Sequence, residues 1–214
     1  MSNAPVRLPA RVRRRLPPDV RIGQILDAAY EAFSTHGFAH TRIDDIAALA
    51  GLSKGGIYAH FASKDEIFQA LLHRSLQPIG IGKRALLRDP VTIERMVDLL
   101  AYRLYAWAVS EPAVATLRLL IAERARVPDA VEQWRRYMER TVVASIRKLI
   151  VKGVREGTLR DGIAAQSPAL LIAPIAHACL REVLRTTAQN AAEINRARRE
   201  YVSLLRELLA TREI

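Results

Sequence analysis

Between Ser53 and Lys64 the chain sets out a group of residues suited to holding an anion: Ser53, Lys54, Gly55, Gly56, Tyr58, His60 and Lys64. A serine hydroxyl at the start of a helix caps a backbone amide and can also donate to phosphate. The amides of Lys54, Gly55 and Gly56 would face outward at a helix N-terminus, where the helix dipole favours negative charge. Lys54 and Lys64 bring cations, and Tyr58 and His60 bring donors. The two glycines are informative because each internal glycine costs a helix about 0.5–1 kcal/mol relative to alanine. A short helix kept at that cost has something to approach closely, such as a phosphate or a base edge. The alternative is a helical hairpin whose glycines serve tight packing.

The flanking residues supply the elements that hold this group in place. Thr41 precedes an apolar-periodic run, with Asp44 three positions on, which predicts a capping-box-like helix start. Arg42 lies in the first turn of that helix. Ile43, Ile46, Ala47 and Ala50 give it one apolar face, and Gly51 supplies a stop. Leu52 follows as an apolar plug. Ser53 caps a second helix running to about His60, with Ile57 and Phe61 four apart and facing the first. Ser63 and Glu66 form a stricter S-x-x-E box that opens a third helix. Upstream, Ile22, Ile25, Leu26, Ala29 and Phe33 form one stripe, with Asp19 as the predicted N-cap and Gly37 as the predicted C-cap. Two short helices around a glycine turn, packed on a longer one, describe a helix-turn-helix that presents its second helix to the DNA major groove.

The stretch from Ile46 to Phe68, IAALAGLSKGGIYAHFASKDEIF, closely resembles the DNA-binding domain of the TetR/AcrR family of bacterial transcription regulators. The resemblance extends back through RIGQILDAAYEAFSTHGF, Arg21 to Phe38, and covers about a quarter of the chain. It implies an all-helical homodimer, a small-molecule pocket in the C-terminal part, and ligand-induced release from a palindromic operator. Carried over by position, the DNA contacts it implies are Arg42, Ser53, Lys54, Gly55, Gly56, Tyr58, His60 and Lys64. Arg42 stands where relatives commonly have Ser or Thr.

Charge distribution tempers any simple reading of the net charge of +11. Residues 1–20 hold five arginines (Arg7, Arg11, Arg13, Arg14, Arg15) against Asp19 alone. Residues 21–65 hold four cations against five acids. The helix-turn-helix is therefore not basic, and its affinity has to come from a few placed contacts. The Pro-flanked arginine arm reads two ways: as a DNA-backbone or minor-groove contact, or as a solubilising tail.

Half of the 214 residues are hydrophobic, enough for a substantial core. No apolar run reaches the roughly 18–20 residues of a membrane helix, and no hydrophobic leader follows Met1. The one cysteine, Cys179, cannot form an internal disulfide. A cytoplasmic location is the expectation from these features.

Downstream, the pattern predicts helices over about Val91–Ser110, Ala113–Arg126, Asp129–Glu156, Pro168–Thr187 and Ala191–Thr211, with Pro174 removing a bond in mid-helix. The expected fold is all-α, with an arm at 1–20, a helix-turn-helix domain at 21–66 and a helical effector-binding and dimerisation domain at 67–214. Alanines on the penultimate helix and the stripe Ile194, Ala197, Tyr201, Leu204, Leu205 and Leu208 on the last suit a four-helix interface between two copies; the alternative is that both finish the monomer core. Candidate pocket residues are Tyr102, Tyr105, Trp107, Arg118, Trp134, Tyr137 and His177, with Glu123 and Met138 as further members; aromatic residues at helical spacing also serve as ordinary core. The five histidines are scattered, so no metal site is predicted and no cofactor is implied. No G-x-S-x-G, H-E-x-x-H or phosphate loop is present, which argues against an enzyme. A helical protein-interaction adaptor is the remaining alternative to a DNA-binding regulator.

Overall fold

The computed structural model of the chain describes residues 17–78 and 89–211. The five arginines of the arm lie outside the described residues. Among the described residues, every regular element is a helix.

Helix α1 (Pro18–His40) starts after Pro17, with Asp19 in its first turn rather than at its cap. Gly37 interrupts it at φ 74°, a conformation that favours glycine. Thr41 is buried, and its hydroxyl donates to the carbonyls of Gly37 (2.8 Å) and Ala32 (3.1 Å). That commitment displaces the expected Thr41–Asp44 cap by one residue. Arg42 is the N-cap of α2 (Ile43–Leu49), and its amide donates to the Asp45 carboxylate at 2.7 Å. Gly51, at φ 63°, makes the turn. Helix α3 (Lys54–Tyr58) has five residues and stops two short of the expected His60. Helix α4 (Lys64–Ser75) is capped by Ser63, whose hydroxyl accepts from the Glu66 amide at 3.1 Å.

These four helices bury Ile25, Phe33, Ile46, Ile57, Ile67, Phe68 and Leu71 together. Phe33, Phe38 and Phe68 form a ring cluster with centroids 4.9–5.6 Å apart. The same cluster takes in Ala113, Leu119, Leu120, Val127 and Ala130, so the N-terminal helices are welded to the following half by shared apolar packing.

That half begins with α5 (Ile93–Val97), which passes through a π-helical stretch, Asp98–Leu104, into α6 (Tyr105–Ala108). Helix α7 (Glu111–Glu123) starts at the Glu111-Pro112 pair expected to interrupt, because proline fits the first helical turn. Helix α8 (Pro128–Tyr137) runs through a second π-helical stretch, Met138–Val143, into α9 (Ala144–Arg155). Helix α10 (Ile163–Gln166) and a 3-10 turn, Pro168–Leu171, lead to α11 (Ala173–Leu184) and α12 (Ala191–Leu209). The expected single helix from Pro168 is thus split at Ile172. Pro174 falls in the first turn of α11 and kinks nothing. A second core, including Leu100, Leu104, Tyr105, Ile146, Ile150, Tyr201 and Leu205, fills the space between these helices.

Candidate nucleic-acid interface and apolar cavity

Helix α3 is anchored through Ile57, fully buried, and shows the rest of its surface to solvent. Ser53, Lys54, Gly55 and Tyr58 are exposed; Gly56 and His60 are half-buried. Arg42, at the start of α2, is exposed as well. A Cβ added at Gly55 would meet nothing closer than the Ser53 hydroxyl at 4.0 Å. At Gly56 the nearest atoms lie at 3.5 Å, ordinary contact. The chain's own packing therefore demands neither glycine, which weighs against the tight-hairpin alternative.

The polar groups here are partly committed. The Gly56 amide donates to the Ser53 hydroxyl at 3.1 Å, so it is not free for a phosphate. The Lys54 ammonium lies 2.9 Å from Asp44 of α2, with both side chains more than half exposed. The Asp44 carboxylate, by hydrogen bond and charge, raises the lysine pKa. Such an exposed pair opens readily to a competing anion. Five residues give α3 a dipole of short reach, so placed side chains matter more here than the helix end.

Lys64 is committed to backbone carbonyls. Its ammonium donates to three carbonyls at the end of α1, Phe38 (2.6 Å), Thr41 (2.9 Å) and Ala39 (3.2 Å), and lies 4.5 Å from the Phe38 ring centroid. All three N–H groups have acceptors inside the protein, so in this DNA-free state Lys64 ties the start of α4 to the end of α1. Glu123, at the end of α7, completes this hub. Its buried carboxylate accepts from the Phe38 amide at 3.1 Å and pairs with Arg126 at 3.0 Å. Phe38 is thus held by α4 through its carbonyl and by α7 through its amide. No pattern in the sequence marks this clasp, because its partners are 85 residues apart.

The helical half holds an apolar cavity of about 330 Å³ between α6, α7, α8 and α11, walled by residues including Leu104, Trp107, Leu117, Trp134, Met138, Ile175 and Cys179. No charged residue lines it. Leu104 ends the first π-helical stretch and Met138 begins the second, and such stretches recur beside functional cavities. The Cys179 thiol pKa is pushed up by burial, which keeps it neutral. Trp107 reaches from the cavity to the end of α4, its indole N–H donating to the Ser75 carbonyl at 3.3 Å. A more polar groove lies between α4 and α8, lined by Gln69, His73, Gln133, Trp134 and Tyr137 among others.

Of the candidate pocket residues, Trp107 and Trp134 line the apolar cavity and Tyr137 lines the groove. Four do not line either. Tyr102 is 51% exposed, with the Arg198 guanidinium 5.3 Å from its ring centroid. Tyr105 is buried core, stacked on Tyr201. The Arg118 guanidinium donates to the carbonyls of Glu182, Val183 and Arg185 at 2.5–3.0 Å and caps α11. His177 is on the exposed face of α11. The cavity wall is mostly leucine, isoleucine and alanine, residue types that fill any helical core and so carry no signal in sequence.

Comparison with known proteins matches this arrangement. Residues 25–71 fit the model of the bacterial regulatory proteins of the tetR family. Over 165 residues the chain is 31% identical to the HTH-type transcriptional repressor SCO4008 of Streptomyces coelicolor, covering 75% of this chain and 78% of that one. Over 74 residues it is 45% identical to the HTH-type transcriptional activator FasR of Mycolicibacterium smegmatis, covering 35% of this chain and 34% of that one. In fold it is similar to NalD of Pseudomonas aeruginosa, a secondary repressor of the MexAB-OprM multidrug efflux pump, with a TM-score of 0.69 at 19% identity over 92% of this chain and all of that one. The chain belongs to the TetR family of bacterial DNA-binding transcriptional regulators.

Proposed function

We propose that this regulator is a cytoplasmic repressor that binds a palindromic operator as a homodimer and is released by a small, uncharged, apolar molecule. The observation that carries the DNA reading is the state of α3: anchored by Ile57 alone, with Lys54, Gly55 and Tyr58 turned outward and glycine at 55 unexplained by internal packing. Lys54, Tyr58, Arg42, Ser53 and His60 supply the phosphate and base contacts. Gly55 and Gly56 let the backbone come close, and Lys64 holds the head in shape. With so few side chains at the base edges, much of the selectivity comes from phosphate positions and DNA shape. A five-residue helix reads little alone, and a second copy at a half-site one helical turn away, about 34–36 Å, supplies the rest.

The apolar cavity supports the effector reading. It excludes charge by its lining, and it lies against Trp107, which touches the end of α4. A ligand releases the operator only if it binds the two conformations with different affinity.

The test is a titration of DNA from upstream of the gene across a salt series. Affinity is expected to fall steeply as salt rises. Lys54→Ala is expected to weaken binding about tenfold and to lower the log–log salt slope by about 1, with the thermal unfolding midpoint unmoved. Absence of binding at low salt would replace this reading with a helical interaction adaptor.

A further inference from the structure

A further cleft, of about 500 Å³, lies where the helix-turn-helix half meets the helical half. Asp27 and Tyr30 of α1 line one side, Arg74 of α4 a second, and Trp107, Glu111 and Thr116 a third. The charges in it are unequally matched. The Arg74 guanidinium pairs with the Asp27 carboxylate at 2.8 Å and donates to the Gly23 carbonyl at 3.2 Å. Glu111 is exposed and has no ion pair among the described residues. The cleft thus keeps one unbalanced negative charge beside the rings of Tyr30 and Trp107. Thr116 adds an unmet hydrogen bond. It is fully buried, and its hydroxyl has no partner among the described residues. A threonine inside a helix ordinarily bonds back to a carbonyl of the preceding turn, and a buried hydroxyl left unbonded costs stability.

We propose that this cleft is a second ligand site, separate from the apolar cavity, for a small aromatic molecule carrying an ammonium group and a hydroxyl. The ammonium meets the Glu111 carboxylate, the ring lies against Trp107 and Tyr30, where a nearby cation is also favoured, and the hydroxyl bonds Thr116. Glu111 and Thr116 are five residues apart on α7, about 7.5 Å along its axis, which suits a ring with a two-carbon amine chain. Charge keeps the two sites distinct. An ammonium is costly to place in a cavity without a charged residue, whereas here it has a carboxylate. A ligand in the cleft touches α1 and α4 on one side and α7 on the other, so it bridges the two halves of the molecule. Any preference it has for one arrangement of those halves appears by the same factor in operator affinity.

The chain's two tryptophans tell the sites apart. Trp107 lines both the cleft and the apolar cavity, whereas Trp134 lines the cavity and the groove between α4 and α8 but not the cleft. The probes are tyramine and tyrosol, which share a phenol ring and differ in carrying an ammonium or a neutral hydroxyl. In nitrogen-15 correlation spectra of the full chain, millimolar tyramine is expected to shift the Trp107 indole resonance and leave that of Trp134 in place. Tyrosol is expected to bind about fivefold more weakly. Glu111→Gln, at an exposed position, should erase the preference for tyramine. Thr116→Val, which keeps the side-chain volume, should weaken both probes about threefold. A shift of both indoles would place the amine in the apolar cavity and overturn the proposal while leaving the effector reading intact. No shift with millimolar tyramine, or a preference for tyramine that survives Glu111→Gln, would overturn it as well. Should a variant fail to fold, the wild-type pattern decides: equal affinity for the two probes, or a shift that is not confined to Trp107, contradicts the proposal.

Discussion

The two halves of this molecule both bury apolar cores, but they differ in how densely polar groups pin the backbone and in where open space is left. In the helix-turn-helix half, polar groups fix the shape. Lys64 gathers three carbonyls, Thr41 bonds two more, Ser53 and Ser63 cap their helices, and Asp45 caps Arg42. In the helical half, apolar packing surrounds a cavity, and two helices pass through π-helical stretches beside it. The two buried side-chain polar atoms that lack a partner among the described residues, Thr116 Oγ1 and Trp134 Nε1, both belong to that second half. The contrast suits the two tasks. A reading head must present the same contacts every time, so its geometry is over-determined by directional bonds. Under the proposed function the helical half must accept more than one packing, and non-directional contacts allow that.

Breaking the polar framework should be the most damaging change. Lys64→Ala orphans three carbonyls at the end of α1 and removes a charged donor. The expected loss is about 2–3 kcal/mol of stability, seen by denaturant unfolding, together with loss of operator binding. Retention of both would mean that the lysine is ornamental. Next comes the clasp between halves. Glu123→Ala leaves the Phe38 amide buried without a partner, at a cost of about 1–2 kcal/mol, while Glu123→Gln keeps an acceptor and should recover most of it. Faster hydrogen exchange at the Phe38 amide in the alanine variant alone is the direct check.

How much of this was legible in the sequence follows the same division. The serine caps, the Gly51 turn and the apolar faces of α1 to α4 are local signals, and they placed the helix-turn-helix nearly residue by residue. The cap of α2 was misplaced because a tertiary contact outbid a local one: Thr41 turned inward to α1, so the cap moved to Arg42. The apolar cavity was much less legible. Aromatic and charged side chains drew attention to Tyr102, Tyr105, Arg118 and His177, whereas the wall is built of aliphatic residues brought together from four helices. Trp107 and Trp134 do line the apolar cavity, being large enough to serve as wall and core alike.

Smaller effects sharpen the comparison. Gly55→Ala should leave the fold intact or stabilise it by up to about 0.5–1 kcal/mol, since the added methyl meets open space and favours helix. Operator affinity should nevertheless fall several-fold, because the methyl faces the DNA. An unchanged affinity would return Gly55 to a purely structural role. The helical half carries orphaned polar atoms. Thr116→Val removes a hydroxyl that has no partner among the described residues at almost unchanged volume, so it should be neutral or stabilising by about 0.5–1 kcal/mol. Destabilisation would show that a partner exists in solution and would blur the contrast between the halves.

The central claim is that two copies of a sparsely contacting helix read a two-fold operator. Hydroxyl-radical footprinting on the gene's upstream DNA measures it most directly. The account predicts two protected backbone patches related by a dyad, centred about one helical turn, 10–10.5 base pairs, or a multiple of it apart, with Gly55→Ala weakening both equally. A single protected patch, or protection with no dyad, would contradict it.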